Sequence, residues 1–464
     1  MRFLVTAMLF LNRSLGSWVR SHSIPATLIS ATCFSTGSCL ALGQEESSSP
    51  FATNLSLSSP VSGLTEGASE TGATNSIPAN PILGSLWGTS AITTLPNAVS
   101  GTALYPSQDA TSKGPTGIQW GRVRLHSGLG VTETYATGLI ANPRSADTWV
   151  NTVLPTVRLE VHEDWILAYQ PQIVTYSNDL FHDGVNQSLD FQGHVSISDF
   201  DTRLQNQFAR SDNSLVETGG QTQQTVNETR LMANHSIGSH SSIEFGAIQN
   251  LRWAEGFNDV YSWSVPVELR WWSTPAWIGG VHFNAGYDQV DPGVDMTSQR
   301  IMALLEYHVG SDFQANVSPG IEIREFLVAG SDSHISPALT ASIVRRIHSG
   351  TTLALISDIQ VTPSYYADQF TQTSSLMTEL RQNLLFKTTL SVSGGYRWSK
   401  NNSTTEPDTT VNRWGYSVLQ VQLSRPFLRH GSLGLVYSRS RNQASGLDTS
   451  YLSNQAGVQA SYGF

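Results

Sequence analysis

The sequence predicts an all-β fold: a single closed antiparallel transmembrane β-barrel of about 18 strands (about 16 is also possible). Three observations predict it. From Gly117 onward, apolar and polar residues alternate in short segments that recur about every 19 residues. Only 13% of the residues are charged, well below the usual quarter of a soluble domain. The connections between the segments are alternately short and long, as in membrane-spanning barrels.

The first 43 residues predict a cleaved signal peptide. They contain arginines but no acidic residue, and an apolar run from Ile24 to Leu42 ends at Ala41-Leu42-Gly43, which fits a small-x-small cleavage site. An ordinary buried helix is the alternative interpretation. The stretch before the apolar run is unusually long for a signal peptide, so a start codon further along the chain stays open.

Both cysteines, Cys33 and Cys39, lie in the same segment. Neither follows the residues of a good lipoprotein signal, so a cleaved chain would contain no disulfide. Cleavage would remove three of the 26 bases and none of the 36 acids, which leaves 23 bases and a formal net charge of −13. This charge argues against nucleic acid as a partner.

Residues 44–116 predict a disordered linker. Stretches such as EESSSP and TEGASETGATNSIPANP are rich in Ser, Thr, Gly, Pro and Asn and contain few apolar anchors. Such a segment cannot bury enough apolar surface to offset its ordering entropy. A plug or a periplasmic tether is the alternative. The expected domains are therefore a signal peptide over 1–43, a linker over 44–116 and an outer-membrane β-barrel over 117–464.

The segment from Tyr261 to Trp271 shows how the strands are assigned. Its odd positions are apolar or aromatic, whereas Glu268 and Arg270 occupy even positions. Successive side chains of a strand point to opposite faces, so the odd set would face lipid and the even set the lumen. Eighteen segments of this kind follow one another along the chain.

One segment near the C-terminus does not keep its phase. Trp414, Tyr416 and Val418 are assigned to its lipid-facing side, and the change of phase at Leu419 suggests a β-bulge. The connections on one side of the barrel are expected to be tight turns. Those on the other side are expected to be long polar loops, which include 135–148, 211–224, 364–374 and 399–412.

Aromatic residues mark the two edges of the predicted apolar band. Tyr261 and Trp271 are ten residues apart, which corresponds to about 33 Å of strand and to roughly 25 Å of height after tilting. Trp277 and Tyr287 repeat the spacing, and a turn at 272–276 would place Trp271 beside Trp277 and Tyr261 beside Tyr287. Tyrosine and tryptophan favour the depth of the headgroups. The predicted girdle residues are Trp165, Tyr261, Trp271, Trp277, Tyr287, Trp398 and Tyr437.

Charged residues at lumen-facing positions predict either of two roles. They would form a charged constriction that sets solute selectivity, or an ion-pair network that stiffens a wide barrel. Both interpretations stay open. The candidate pore-lining residues are Arg158, Glu160, Glu228, Arg230, Glu268, Arg270, Glu306, Glu322, Arg324, Asp358, Glu379, Arg381 and Arg397.

Catalytic and metal-binding motifs do not stand out. The 12 histidines are spread around the predicted barrel, whereas a metal site needs three or four ligands that converge. No phosphate-binding loop, dinucleotide motif or nucleophile elbow occurs in a strand-turn-helix context. We therefore expect no enzyme activity, no metal and no cofactor.

The C-terminal stretch NQAGVQASYGF ends in Phe464, with Tyr462 two residues earlier. It resembles the C-terminal signature of bacterial outer-membrane proteins, and this resemblance implies recognition by the barrel assembly machinery. The stretch VRLHSGLGVTETYATG resembles the opening strand of the putative β-barrel porin families, and in particular the class called β-barrel porin 2. These resemblances imply a Gram-negative outer-membrane location.

The expected function is a porin-like channel for passive diffusion of small polar solutes. Two alternatives remain at this point, an outer-membrane barrel of an exopolysaccharide export system and a non-conducting structural surface barrel. The expected partners are outer-membrane lipid, the barrel assembly machinery, and small polar solutes or polysaccharide. The solute and the oligomeric state stay open.

Overall fold

The computed structural model describes part of the chain. Its described residues are 117–464 except 142, 143, 163, 216, 218, 219, 311, 329, 349, 408, 409 and 446–449. The predicted signal peptide and linker, 1–43 and 44–116, lie outside the described residues. Within the described residues, no helix has the length and apolar character to cross a membrane.

The described chain is built from 19 strands and one short 3₁₀ turn, Leu385–Lys387. The strands are β1 Ile118–Trp120, β2 Val123–Ala141, β3 Arg144–Val161, β4 Trp165–Tyr176, β5 Gly184–Ile197, β6 Phe200–Leu215, β7 Gly220–Ser236, β8 Ser241–Ala254, β9 Asp259–Thr274, β10 Trp277–Asp291, β11 Met296–Val309, β12 Phe313–Phe326, β13 His334–His348, β14 Thr351–Pro363, β15 Gln369–Asn383, β16 Thr389–Ser403, β17 Thr410–Phe427, β18 Gly431–Ser445 and β19 Tyr451–Gly463.

Strands β2 to β19 form a closed antiparallel barrel. Each pairs with the next along the chain, and β19 pairs with β2 from Asn454↔Thr137 to Gly463↔Gly128. The short β1 adds to β2 as a hairpin. Closure joins the strands into a ring, which a spanning sheet requires because lipid offers no hydrogen bonds to the backbone. The predicted closed barrel of about 18 strands is confirmed.

The two ends of the barrel differ. We call the end that contains His162, 275–276 and the C-terminal Phe464 the turn end, and the opposite end the loop end. Several connections predicted as long loops at the loop end are strand instead: β2 runs to Ala141 and β3 begins at Arg144, which takes in most of 135–148. The same holds for most of 211–224 and 399–412. Beyond the apolar band water wets both faces, so pairing continues where the apolar alternation has ended.

The two faces of the wall differ in chemistry. In β9, Val265, Leu269 and Trp271 are each more than two-fifths exposed, whereas Arg270 is buried. We call the face with the exposed apolar side chains the outer face and the opposite one the inner face. The outer face presents aliphatic and aromatic side chains on every strand from β2 to β19, as contact with acyl chains requires.

Two predictions about local structure are wrong. Trp414 and Tyr416 are buried on the inner face, and it is Val411 and Leu419 that are exposed on the outer face. No bulge occurs at Leu419, because β17 keeps one register with β18 along its length. The prediction assigned these aromatic side chains to the lipid-facing side because of their size. The inner face of β17 is itself apolar at its loop end, where Tyr416 packs against Tyr451 and Val418.

The girdle register is also wrong by two residues. Trp271 pairs with Gly279 rather than with Trp277, because β9 runs on to Thr274 and the turn is shorter than predicted. The Trp271 ring covers Gly279, where a Cβ would overlap it. At the other edge of the band Tyr287 pairs with Trp263, with parallel rings 6.0 Å apart. A shift of two keeps every side chain on its predicted face.

Candidate functional site in the barrel interior

The inner face is polar and closely packed. Alternation along the strands places all thirteen candidate pore-lining residues on it and all seven predicted girdle residues on the outer face. Many inner side chains are less than 10% exposed, including Thr134, Asn401, Asn442 and Ser453. Polar groups buried at this density must bond one another or water.

An ion-pair cluster covers the inner face of β9, β10 and β11. Arg270 contacts Glu268 on its own strand, and its Nη2 lies 3.9 Å from Glu306 Oε1. His282 Nδ1 lies 3.3 Å from Glu268 Oε2, and His308 Nε2 lies 3.5 Å from Glu306 Oε2. The two glutamates thus lie between one arginine and two histidines.

A second cluster joins β10, β11 and β12. Glu322 accepts hydrogen bonds from Arg324 Nε at 2.7 Å and from Arg300 Nε at 2.9 Å. Arg324 Nη1 also donates to Asp288 Oδ2 at 3.0 Å. A cavity of about 140 Å³ lies beside these residues, and it is also lined by Asn284, whose Oδ1 has no hydrogen-bond partner among the described residues. The cluster contains two cations and two anions, so it adds no net charge to the lumen.

The remaining predicted residues are less concentrated. Glu160 lies 3.0 Å from Arg158 Nη2 and is also close to Arg124 and His126, whereas Glu228 pairs with Arg230. Asp358 accepts from Thr340, and Glu379 accepts from Ser391. Within the part of the chain that the structure describes, Arg381 and Arg397 form no ion pair shorter than 4.0 Å.

The tip of the β14–β15 hairpin separates from β13 but stays joined to β16, since β15 pairs with β16 as far as Gln369↔Ser403. Pairing of β13 with β14 ends at Leu339↔Ile359, although β13 begins at His334 and β14 continues to Pro363. The hairpin keeps its own ladder as far as Pro363↔Phe370. We call residues 361–371 the strap. Pro337 and Pro363 lie where β13 and β14 do not pair with each other, and proline suits such edges because it has no N–H to pair.

One side of the strap packs on the inner face of β9 to β12. Val361 and Phe370 join a buried apolar cluster with Val260, Val290, Met296 and Phe326. The carbonyl of Val361, which has no partner on β13, accepts a hydrogen bond from Arg324 Nη2 at 2.6 Å. The predicted residue Arg324 thus connects the β10–β12 ion pairs to the strap.

The far side of the strap reaches the opposite wall at β7 and β8. Arg252 Nη2 donates to the carbonyl of Ser364 at 2.9 Å, and its guanidinium lies 4.1 Å from the ring centre of Tyr365. The Tyr365 hydroxyl donates to Gln224 Oε1 at 2.7 Å. Strands β8 and β14 are six positions apart in the wall, so the strap crosses the interior at the loop end.

Glu217, in the β6–β7 connection, fastens the strap. Its Oε1 accepts from Ser364 Oγ at 2.6 Å and from the Tyr365 amide at 3.2 Å, and its carbonyl accepts from the Tyr366 hydroxyl at 3.1 Å. Burial, followed by the nearby Glu217 charge, raises the pKa of Tyr366, so this phenol stays protonated and able to donate. Sequence reasoning missed Glu217, Arg252 and the strap. The available signal was the pair of tyrosines in a connection expected to be polar.

The C-terminal residues close the turn end. Tyr462 pairs with Leu129 of β2, and the Phe464 amide donates to the carbonyl of Ser127 at 2.8 Å. The two aromatic rings lie 5.0 Å apart. Their predicted role as an assembly signal stays a prediction. In the described part of the chain, no group of three or more His, Cys, Asp or Glu side chains is arranged to hold a metal ion.

Comparison with known proteins gives structural likeness at low identity. The sequence matches no protein-family model and no curated protein. Three similar solved structures from Pseudomonas aeruginosa are OccK2 (OpdF) at 9% identity and TM-score 0.43, OccK9 (OpdG) at 11% and 0.42, and OprD at 12% and 0.40. The alignments with OccK2 and OccK9 each cover 73% of this chain and 98% of the other chain, and the alignment with OprD covers 76% of this chain and 97% of the other. The resemblance to the β-barrel porin 2 class stays a prediction. The function is therefore inferred from this chain's own residues.

Proposed function

We propose that this chain is an outer-membrane channel for small polar solutes. The observation that carries the proposal is the division of one closed wall into an apolar outer face and a polar inner face. Barrels of 16 to 18 strands leave room for an aqueous channel, and a lumen needs polar walls to hold water. A soluble barrel would not leave Leu269, Val281 and Ile301 exposed in one continuous band.

The charged residues of the inner face would divide into two roles. Arg300, Arg158 and Arg230 have 20–27% of their side chains exposed, so they would meet passing solutes. Arg324 and Glu322 are at most 6% exposed, so they would stiffen the wall and anchor the strap. Ion pairs alternating with polar side chains favour uncharged or zwitterionic solutes over strongly charged ones. The strap would limit the size of the solute at the loop end.

Conductance in planar bilayers tests this function. The purified full-length chain should run faster on a gel before heating than after, which shows a closed barrel, and should give stable current steps after insertion. A heat-denatured sample, added at the same detergent concentration, is the control. Folded protein that inserts but carries no current contradicts the proposed function.

A non-conducting structural barrel is the second candidate. The strap favours it, because the strap contacts both walls of the interior and its cluster with Phe370 and Met296 is almost completely buried. Release of the strap distinguishes the two functions. A channel should gain conductance when the strap is loosened, whereas a structural barrel should stay silent.

Assembly through the C-terminal strand belongs to the same proposal. Deletion of Phe464 should reduce the yield of heat-modifiable barrel in the outer membrane, because the last residue completes the strand that the barrel assembly machinery would recognise. Tyr462→Phe is the matched control, because it changes the same strand but keeps the aromatic ring. Equal yields for the wild type and the deletion would contradict the role of Phe464.

A further inference from the structure

Four basic residues occupy the outer face of β16, β17 and β18. They are Lys400, Arg413, Arg439 and Arg441, and we call them the basic outer patch. On β18, Arg439 and Arg441 continue the exposed series of Leu433, Leu435 and Tyr437. The residues between them and beside them, Ser440 and Asn442, are buried on the inner face.

The four residues form two pairs at the loop end of adjacent strands, and Lys400 with Arg413 lies four residues further toward the loops than Arg441. Lys400 pairs directly with Arg413 across β16 and β17. Arg439 pairs with Leu419, and Arg441 pairs with Ser417. Like charges directly opposite each other on a sheet are destabilising. The directly opposed Lys400 and Arg413 therefore repel each other, and a bound anion would remove this cost.

The chain itself supplies little counter-charge. Strands β16 to β19 contain no Asp or Glu at all. Among the described residues, none of the four basic side chains forms a salt bridge, whereas the salt bridges of Arg158, Arg270 and Arg324 all lie on the inner face. The nearest outer-face acid on a neighbouring strand is Glu133, and it shares its row with Val458 and Leu435, four residues from Arg439 towards the turn end.

The position of the patch along the wall matches a headgroup layer. Arg441 lies ten residues above Gly431, at the turn end of β18, and at ~3.3 Å per residue with a tilt of ~40° this is a height of roughly 25 Å, with Arg439 about 5 Å lower. The apolar band of a barrel is about 25 Å tall. On β16 the exposed aromatics Tyr396 and Trp398 come immediately before Lys400. Interfacial aromatics mark the level of the headgroups, so Arg441, Arg413 and Lys400 lie at or beyond that level, and the long Arg439 side chain can extend up to it.

We propose that the basic outer patch binds phosphate groups on the headgroup of a lipid in the leaflet at the loop end. The inference rests on the membrane placement in the proposed function, but not on conduction. A guanidinium offers a planar fork of N–H donors that matches phosphate oxygens, and it is less strongly hydrated than an ammonium. The acyl chains of the same lipid would lie against Leu433, Leu435 and Tyr437, below the cations.

Two loops at this end carry acids that compete with a lipid. The β16–β17 loop contains Glu406 and Asp408, and the β18–β19 loop contains Asp448; Asp408 and Asp448 lie outside the described residues. Arg439 and Arg441 lie further from these loops along their strand than Arg413 does along its own. The test is therefore built on Arg439 and Arg441.

The test measures lipid binding to the full-length chain in neutral detergent micelles. The probes are bis-phosphorylated lipid A, the same glycolipid without phosphates, and inorganic phosphate. We expect the wild type to bind the phosphorylated lipid at least tenfold more tightly than the dephosphorylated one. The double variant Arg439→Gln/Arg441→Gln should lose roughly fivefold in affinity per arginine. Arg425→Gln is the matched control, because Arg425 lies on the same outer face of β17 but at the turn end.

Three results would overturn the inference. One is equal binding by the wild type and the double variant, another is an equal loss in Arg425→Gln, and the third is competition by inorganic phosphate at the same concentration as the lipid. Heat-modifiable gel mobility verifies that each variant is folded. A barrel that binds the lipid but carries no current contradicts the channel alone, so the two proposals fail separately.

Discussion

Arginines on the two faces of the barrel wall are compensated in different ways. On the inner face, Arg270, Arg300 and Arg324 each contact a carboxylate of the same chain. On the outer face, Arg439 and Arg441 form no salt bridge with the described residues. The inner face folds with its own counter-ions and can therefore be packed closely, whereas the outer face leaves its cations for the solvent or lipid around it. Substitutions at matched inner and outer positions test this difference.

The largest effect is expected from Arg324→Met. The substitution removes a buried cation from Glu322, Asp288 and the Val361 carbonyl, and buried carboxylates that lose a partner cost about 3–5 kcal/mol. Urea unfolding in detergent, followed by the loss of heat-modifiable mobility, measures the change. Arg439→Met is the matched control and should stay within about 0.5 kcal/mol of wild type. Equal stability of the two variants would show that inner and outer cations do not differ.

A smaller effect is expected when the strap is loosened. Glu217→Ala removes the acceptor of Ser364 Oγ and of the Tyr365 amide, and a buried donor without its partner costs about 1–3 kcal/mol. The population with a released strap should therefore rise by roughly fivefold to a hundredfold, since about 1.4 kcal/mol is a factor of ten. Single-channel recording should show larger or longer openings.

Glu406→Ala is the control for the strap, because Glu406 is an exposed acid in the β16–β17 connection. It makes the same change of charge at the same end of the barrel. If both variants raise the conductance equally, surface charge rather than strap release is the cause. If neither does, the strap does not limit the channel.

The fold was predictable wherever lipid touches one face and water the other. The alternation from Tyr261 to Trp271 follows from the two solvents that the two faces meet. The same alternation, repeated along the chain, located every strand of the barrel. At the loop end water wets both faces, the alternation ends, and strand was mistaken for loop over most of 135–148. Trp414 and Tyr416 were placed on the wrong face because residue type alone does not separate an apolar interior from lipid.

The site was predictable only in part. The Glu-x-Arg pairs on β7, β9 and β12 are local, so alternation placed both members on one face. The strap depends on Glu217 and Ser364, which are 147 residues apart in sequence. No local pattern in one sequence joins residues at that distance. The same limit hid the basic outer patch, whose members come from three strands and share one region of the outer face only through the strand register.

The smallest effect is expected on ion selectivity. Arg300→Ala leaves Glu322 with Arg324 as its partner and adds one negative charge to the lumen, so the ratio of cation to anion permeability should rise. The reversal potential in a salt gradient measures this ratio. Arg413→Ala makes the same charge change on the outer face, where lipid and water separate it from the lumen, and it should leave the reversal potential unchanged. A shift of equal size in both variants would mean that the channel senses the net charge of the barrel rather than the charges on its inner face.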